Sequence, residues 1–125
     1  MIALALLLLV QDAPHLPPAD WSKLPLLATP GRHGGDPSDF VKAEVAAGRC
    51  AAATSDPTGN RLNAPVAVLI GETGGPIRVV PQAIDCPTVE QYTVGYVSTL
   101  LRSLPGDEPG RPAPGWYRLP VTYRW

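Results

Sequence analysis

Charge is scarce in this chain: Asp, Glu, Lys and Arg make up 17% of its 125 residues, and the formal net charge is −1. Without a positive surplus there is no broad field to draw in nucleic acid or an acidic membrane surface. Histidine is almost missing as well, with His15 and His33 the only two, both inside a Pro- and Gly-rich stretch. A zinc site needs three or four converging ligands, and neither histidine has a second ligand at metal spacing. No metal or other cofactor is expected. Long apolar runs are absent too. The longest, Met1 to Val10, would cover about 15 Å as a helix, roughly half of a bilayer core, so no transmembrane span is expected.

The equipment of catalysis is equally thin. A nucleophile needs a base held beside it, and Cys50 with His33 is the one conceivable thiol–imidazole pair. The glycine-rich stretches Gly31-Arg32-His33-Gly34-Gly35 and Gly71-Glu72-Thr73-Gly74-Gly75 carry neither the lysine of a phosphate loop nor dinucleotide spacing. Turn chemistry accounts for both. Asp85 and Glu90 flank the start of a helix, where capping explains them, and Asp107 and Glu108 read as solvated loop residues. The chain is therefore expected to bind rather than to catalyse.

What the chain has in quantity is proline and glycine, 16 and 12 residues, which predicts many turns and few long helices. The apolar opening fits the hydrophobic region of a secretory signal peptide over 1–13, although no Lys or Arg precedes it and Gln11-Asp12-Ala13 lacks a small-x-small cleavage pattern. Two cysteines, Cys50 and Cys86, fit export to an oxidising compartment, periplasmic or secreted, and pairing with each other. Closing a loop of that size is worth about 3–4 kcal/mol in the chain-entropy description. Residues 14–36 read as a Pro/Gly-rich linker or a loop lying on the domain, with Trp21, Leu24, Leu26 and Leu27 available to pin it.

A single α+β domain is expected over 37–125. Asp36-Pro37-Ser38-Asp39 opens a first, short helix, continued by Phe40, Val41 and Val45 and stopped at Gly48. From Leu62 to Ile70 the pattern alternates, placing Leu62, Ala64, Val66, Val68 and Ile70 on one face of a strand. A glycine turn at 71–75 leads into a strand from Ile77 to Val80, making an antiparallel hairpin. Asp85-Cys86-Pro87 opens a long second helix whose apolar stripe is Val89, Tyr92, Tyr96, Val97, Leu100 and Leu104. Pro105-Gly106 ends it.

The closing segment, Trp116 to Trp125, alternates strictly. Tyr117, Leu119, Val121, Tyr123 and Trp125 point inward, and Trp116, Arg118, Pro120, Thr122 and Arg124 point outward. Pro120 has no N–H and favours a sheet edge. The expected architecture is a small three-stranded antiparallel sheet packed by one long helix, in the order helix-strand-strand-helix-strand. An exposed edge offers unpaired backbone groups to a partner strand, and Trp116, Arg118, Thr122 and Arg124 would supply the selectivity. Proline and arginine also blunt edges against aggregation, and that reading stands beside the first.

This order of pieces resembles the C-terminal domain family of TonB-type energy transducers, over about two thirds of the chain from Phe40 to Trp125. The pieces are Phe40-Val41-Lys42-Ala43-Glu44, the hairpin Val66-Ala67-Val68-Leu69-Ile70 with Gly74-Gly75-Pro76-Ile77-Arg78-Val79, the opening Cys86-Pro87-Thr88-Val89, and the closing Gly115-Trp116-Tyr117-Arg118-Leu119-Pro120-Val121-Thr122-Tyr123-Arg124. The resemblance implies the fold, a periplasmic setting, and a protein or extended peptide of the cell envelope as partner, such as an outer-membrane transporter. The chain departs from the family by lacking its tyrosine-proline signature, a full transmembrane helix and a long spacer. An alternative expectation is a structural envelope protein that self-associates through its edges.

Overall fold

The computed structural model describes residues 16–28, 39–102 and 112–125. The leader, His15, His33, the helix opening at Asp36-Pro37, Leu104, Pro105-Gly106, Asp107 and Glu108 lie outside these residues. Among the described residues the fold is α+β, with two α-helices and two three-stranded antiparallel sheets. The elements run α1 Asp39–Ala46, β1 Thr54–Asp56, β2 Gly59–Asn63, β3 Val66–Ile70, β4 Pro76–Pro81, α2 Pro87–Arg102, β5 Gly115–Leu119 and β6 Thr122–Arg124, after a short 3-10 turn at Trp21–Lys23. No helix among the described residues is long and apolar enough to cross a membrane.

The two strands expected at 62–70 and 116–125 are each broken in two. β2 and β3 separate at Ala64-Pro65, and β5 and β6 at Pro120-Val121. The sheets are β4-β3-β5 and β1-β2-β6, not a single sheet of three. Nevertheless the register passes through the break without a slip. Val66 faces Leu119 on one side and Asn63 faces Thr122 on the other, and the Ala64 N–H donates to the Val121 carbonyl at 2.8 Å between them. Pro65 and Pro120 therefore stand opposite each other. Neither has an N–H to offer a third strand, and it is here that the third strand changes, from β4 beside β3 to β1 beside β2.

Inward alternation survives the bend. Leu62, Ala64, Val66, Val68 and Ile70 are all buried, as are Leu119, Val121 and Tyr123, and Tyr117 and Trp125 pack against them half-buried. β3 is buried on both faces, because Ala67 and Leu69 are also covered. α2 lies across the inward side. Its fully buried positions are Val89, Thr93, Val97 and Leu101, spaced four apart on one face, so the centre of contact is turned slightly from the expected stripe. Tyr92 and Tyr96 flank it, half-buried. Thr93 tolerates burial because its hydroxyl donates to the Val89 carbonyl at 2.7 Å and meets the Tyr123 hydroxyl at 2.8 Å.

The helix ends follow from local chemistry. Gly48, with φ 76°, lets the Arg49 N–H reach the Glu44 carbonyl and the Gly48 N–H the Val45 carbonyl, at 3.1 and 3.0 Å. At the start of α2, Glu90 accepts from the N–H groups of Cys86 and Ile84 at 3.0 and 3.3 Å, so capping does account for this carboxylate. Cys50 and Cys86 form a disulfide with Cα atoms 4.9 Å apart, tying the end of α1 to the start of α2. Glu44 reinforces that junction: it accepts from Arg49 Nε at 2.7 Å and from the Thr88 hydroxyl at 3.0 Å, and the Arg49 contact holds its carboxyl below the usual range.

The β1–β2 hairpin was not expected. Asp56-Pro57-Thr58-Gly59 turns it, with Asp56 accepting from the Thr58 N–H at 2.7 Å. Gly59 has φ 127°, and a Cβ there would stand 2.8 Å from the Trp125 carbonyl oxygen, so the turn admits the C-terminal strand only with glycine.

Candidate interaction edge

Alternation puts Trp116, Arg118, Thr122 and Arg124 on the outward side of the closing strand, opposite Leu69, Ala67, Asn63 and Arg61 in turn. The bend nevertheless divides them. Trp116 and Arg118 belong to β5 and its sheet, Thr122 and Arg124 to β6 and the other sheet. β5 and β6 are terminal in the order of their respective sheets, the position that Pro120 favours.

The two edges are in different states. Beside β5 the chain's own N-terminal segment runs parallel, bridging Leu26 to Arg118. The Arg118 N–H donates to the Pro25 carbonyl at 2.9 Å, and the Leu27 N–H donates to the Arg118 carbonyl at 3.0 Å. The Arg118 side chain adds a bond from Nε to the Leu24 carbonyl at 3.0 Å. Leu27 is 5% exposed and enters the core, while Leu26 stays 55% exposed. Of the four residues expected to pin this segment, Leu27 does so most fully. At Arg118 the edge expected to receive a partner is therefore occupied by residues 25–27.

The same segment and the strand break enclose a cleft of about 600 Å³, lined by Trp21, Asp20, Pro65, Pro81, Arg118 and Pro120 among others. Asp20 accepts from the Ser22 hydroxyl at 2.6 Å and the Ser22 N–H at 3.0 Å, which caps the 3-10 turn and lowers its pKa. Its charge is thus engaged in shaping the segment.

Along β6 the same alternation continues. Asn60 and Trp125 exchange both backbone bonds, at 2.7 and 3.1 Å. By the antiparallel alternation, Tyr123 bonds inward to β2 while the N–H groups of Thr122 and Arg124 turn to the outer side. The Thr122 hydroxyl bonds to Asn63 Oδ1 at 2.9 Å across the wet face. Arg124 is exposed and directly faces Arg61. Arg61 was not among the expected site residues. Its place opposite Arg124 follows from the β2–β6 register, which continues that of β3 with β5.

Cys50 is bonded to Cys86, which removes the thiol from any pairing with a histidine, and no three His, Cys, Asp or Glu side chains converge as metal ligands among the described residues. Comparison with protein-family models, with curated proteins and with solved structures finds no match.

Proposed function

We propose that this protein is a non-enzymatic binding domain of the cell envelope that pairs an extended segment of a protein partner with the outer side of its closing strand. The observation that carries this reading is the β5 edge itself. A stretch of the chain's own sequence, Pro25 to Leu27, already lies there in extended form and satisfies both backbone groups of Arg118. The edge is thus shaped to receive a strand, and its continuation along β6 presents the N–H groups of Thr122 and Arg124 outward. The other edge of the larger sheet, β4, starts and ends on proline, at Pro76 and Pro81, which suits it less to pairing.

The disulfide Cys50–Cys86 supports an exported, periplasmic setting. The part of the expected order that is kept, the β3–β4 hairpin followed by the long helix α2 and the closing strand, supports a TonB-like domain, and an outer-membrane transport protein is the partner that this likeness implies. Self-association through the same edge is the alternative.

The test uses two substitutions at one residue. Thr122→Pro deletes an outward backbone donor, whereas Thr122→Ala keeps it. In a pull-down from envelope extract, with thermal melts confirming the fold of both variants, Thr122→Ala should retain the partner and Thr122→Pro should lose it. Retention by both would refute strand addition at β6. Size-exclusion chromatography across concentrations decides the alternative: a dimer that Thr122→Pro dissociates would make the partner a second copy.

A further inference from the structure

On the wet face of the β1-β2-β6 sheet two arginines face each other, and among the described residues neither has an ion-pair partner. Arg61 and Arg124 are direct cross-strand partners, at a position where the strands do not exchange hydrogen bonds and side chains come closest. Two like charges facing each other there are destabilising in isolation. Arg61 Nε is buried and has no hydrogen-bond partner, an orphaned charged donor of the kind that folded proteins avoid unless something else satisfies it.

Beside the pair is a cavity of about 220 Å³, lined by Asp56, Thr58, Asn60, Arg61, Arg124 and Trp125 with Gly59. Asp56 is the acidic side chain within it, and its carboxylate is taken by the Thr58 N–H and hydroxyl rather than by either guanidinium. Both arginines still contribute, after those hydrogen bonds, to lowering the Asp56 pKa, so their field reaches into the cavity. Elsewhere in the molecule Arg49 is neutralised by Glu44 at 2.7 Å. No such ion pair joins Asp56 to Arg61 or Arg124.

We propose that Arg61 and Arg124 together hold a carboxylate of the partner, an Asp or Glu side chain on an acidic extended segment lying along β6. This rests on the strand-addition reading and adds the chemistry of what is added. Two guanidinium groups lining one cavity suit a carboxylate, which can accept bonds from both. The outward N–H groups of Thr122 and Arg124 lie on the adjoining side of the same strand, so one extended segment can reach backbone donors and the arginine pair at once. A partner carboxylate anchored this way would offset the repulsion between the two arginines.

The experiment titrates the folded protein with two short peptides of β-forming residues, identical except that one carries Glu where the other carries Gln. Binding is read from Trp fluorescence and from the backbone amide signals of Thr122 and Arg124, at low and moderate salt. The Glu peptide should bind at least about tenfold more tightly at low salt, with the advantage shrinking as salt rises. Arg61→Gln and Arg124→Gln should each remove most of that advantage, and Arg102→Gln, on α2, should not. Equal affinity for the two peptides, with both amides perturbed, would overturn the carboxylate site and leave strand addition standing. Preference for the Glu peptide that depends on the arginines but leaves both amides unperturbed would support the site and overturn strand addition. Binding of neither peptide, or a Glu preference that survives both substitutions, would overturn the proposal.

Discussion

The two halves of the closing strand share one register and one alternating pattern, yet they meet different surroundings. β5 is flanked on its outer side by Pro25–Leu27, with the Arg118 backbone bonded in both directions. β6, beyond the bend at Pro120, has its outer N–H groups turned away from β2 and an arginine pair on its wet face. Pro120 explains why the contrast falls where it does. Without an N–H, and opposite another proline at Pro65, it interrupts any strand that would run along both halves. An edge can thus be covered in one half by the protein's own chain and, among the described residues, left uncovered in the next, with a proline as the border. The lesson is that edge position in a sheet order does not by itself mean an available edge.

Five substitutions test this contrast. The largest effect is expected from Tyr123→Ala, which empties a fully buried site that anchors β6 to α2 through the bond to Thr93. It should cost about 3–5 kcal/mol, measured by chemical denaturation. A much smaller loss would mean that β6 is not fixed against the helix, and its edge would have no defined geometry. Next, Cys50→Ser opens the disulfide between the ends of the helices and should cost about 3–4 kcal/mol, while leaving amide shifts of β6 unchanged in the surviving folded state.

Arg118→Ala comes third. It removes the bond to the Leu24 carbonyl, made by a side chain that also lines the cleft, and should cost about 1–2 kcal/mol. Limited proteolysis of the variant should cut near 24–27 faster than in the parent, and unchanged cutting would mean that backbone bonds alone hold the segment. The smallest effect belongs to Thr122→Ala, which loses an exposed bond to Asn63 and should stay within about 0.5 kcal/mol. Comparing it with Val121→Ala, a buried neighbour expected to lose about 1–3 kcal/mol, checks that inward and outward faces persist past the bend.

Much of this arrangement could be read from the sequence because period-two alternation is a strong local record of burial. The inward sets at Leu62–Ile70 and Tyr117–Trp125 needed no knowledge of partners. The start of α2 at Pro87 and the glycine stop of α1 were likewise local, written in proline, glycine and capping side chains. What was not legible depended on chain segments distant in sequence. Alternation runs straight through Pro65 and Pro120, so the bend left no mark until the two prolines were seen opposite each other. Thr93 reads as polar until its hydroxyl finds Tyr123, 30 residues away. The covering of Arg118 by Leu24 to Leu27 joins residues up to 94 positions apart, and the pairing of Arg61 with Arg124 joins two strands, β2 and β6, with most of the fold between them in sequence.

The claim that one half of the closing strand is covered and the other available is tested most directly by amide hydrogen exchange on the free monomer, resolved at single residues. Arg118 should be protected to a degree near that of Tyr117 and Leu119, because its N–H is held by the Pro25 carbonyl. Thr122 and Arg124 should exchange markedly faster than Tyr123 between them. Slow exchange at Thr122 and Arg124 in the monomer, or fast exchange at Arg118, would contradict the account.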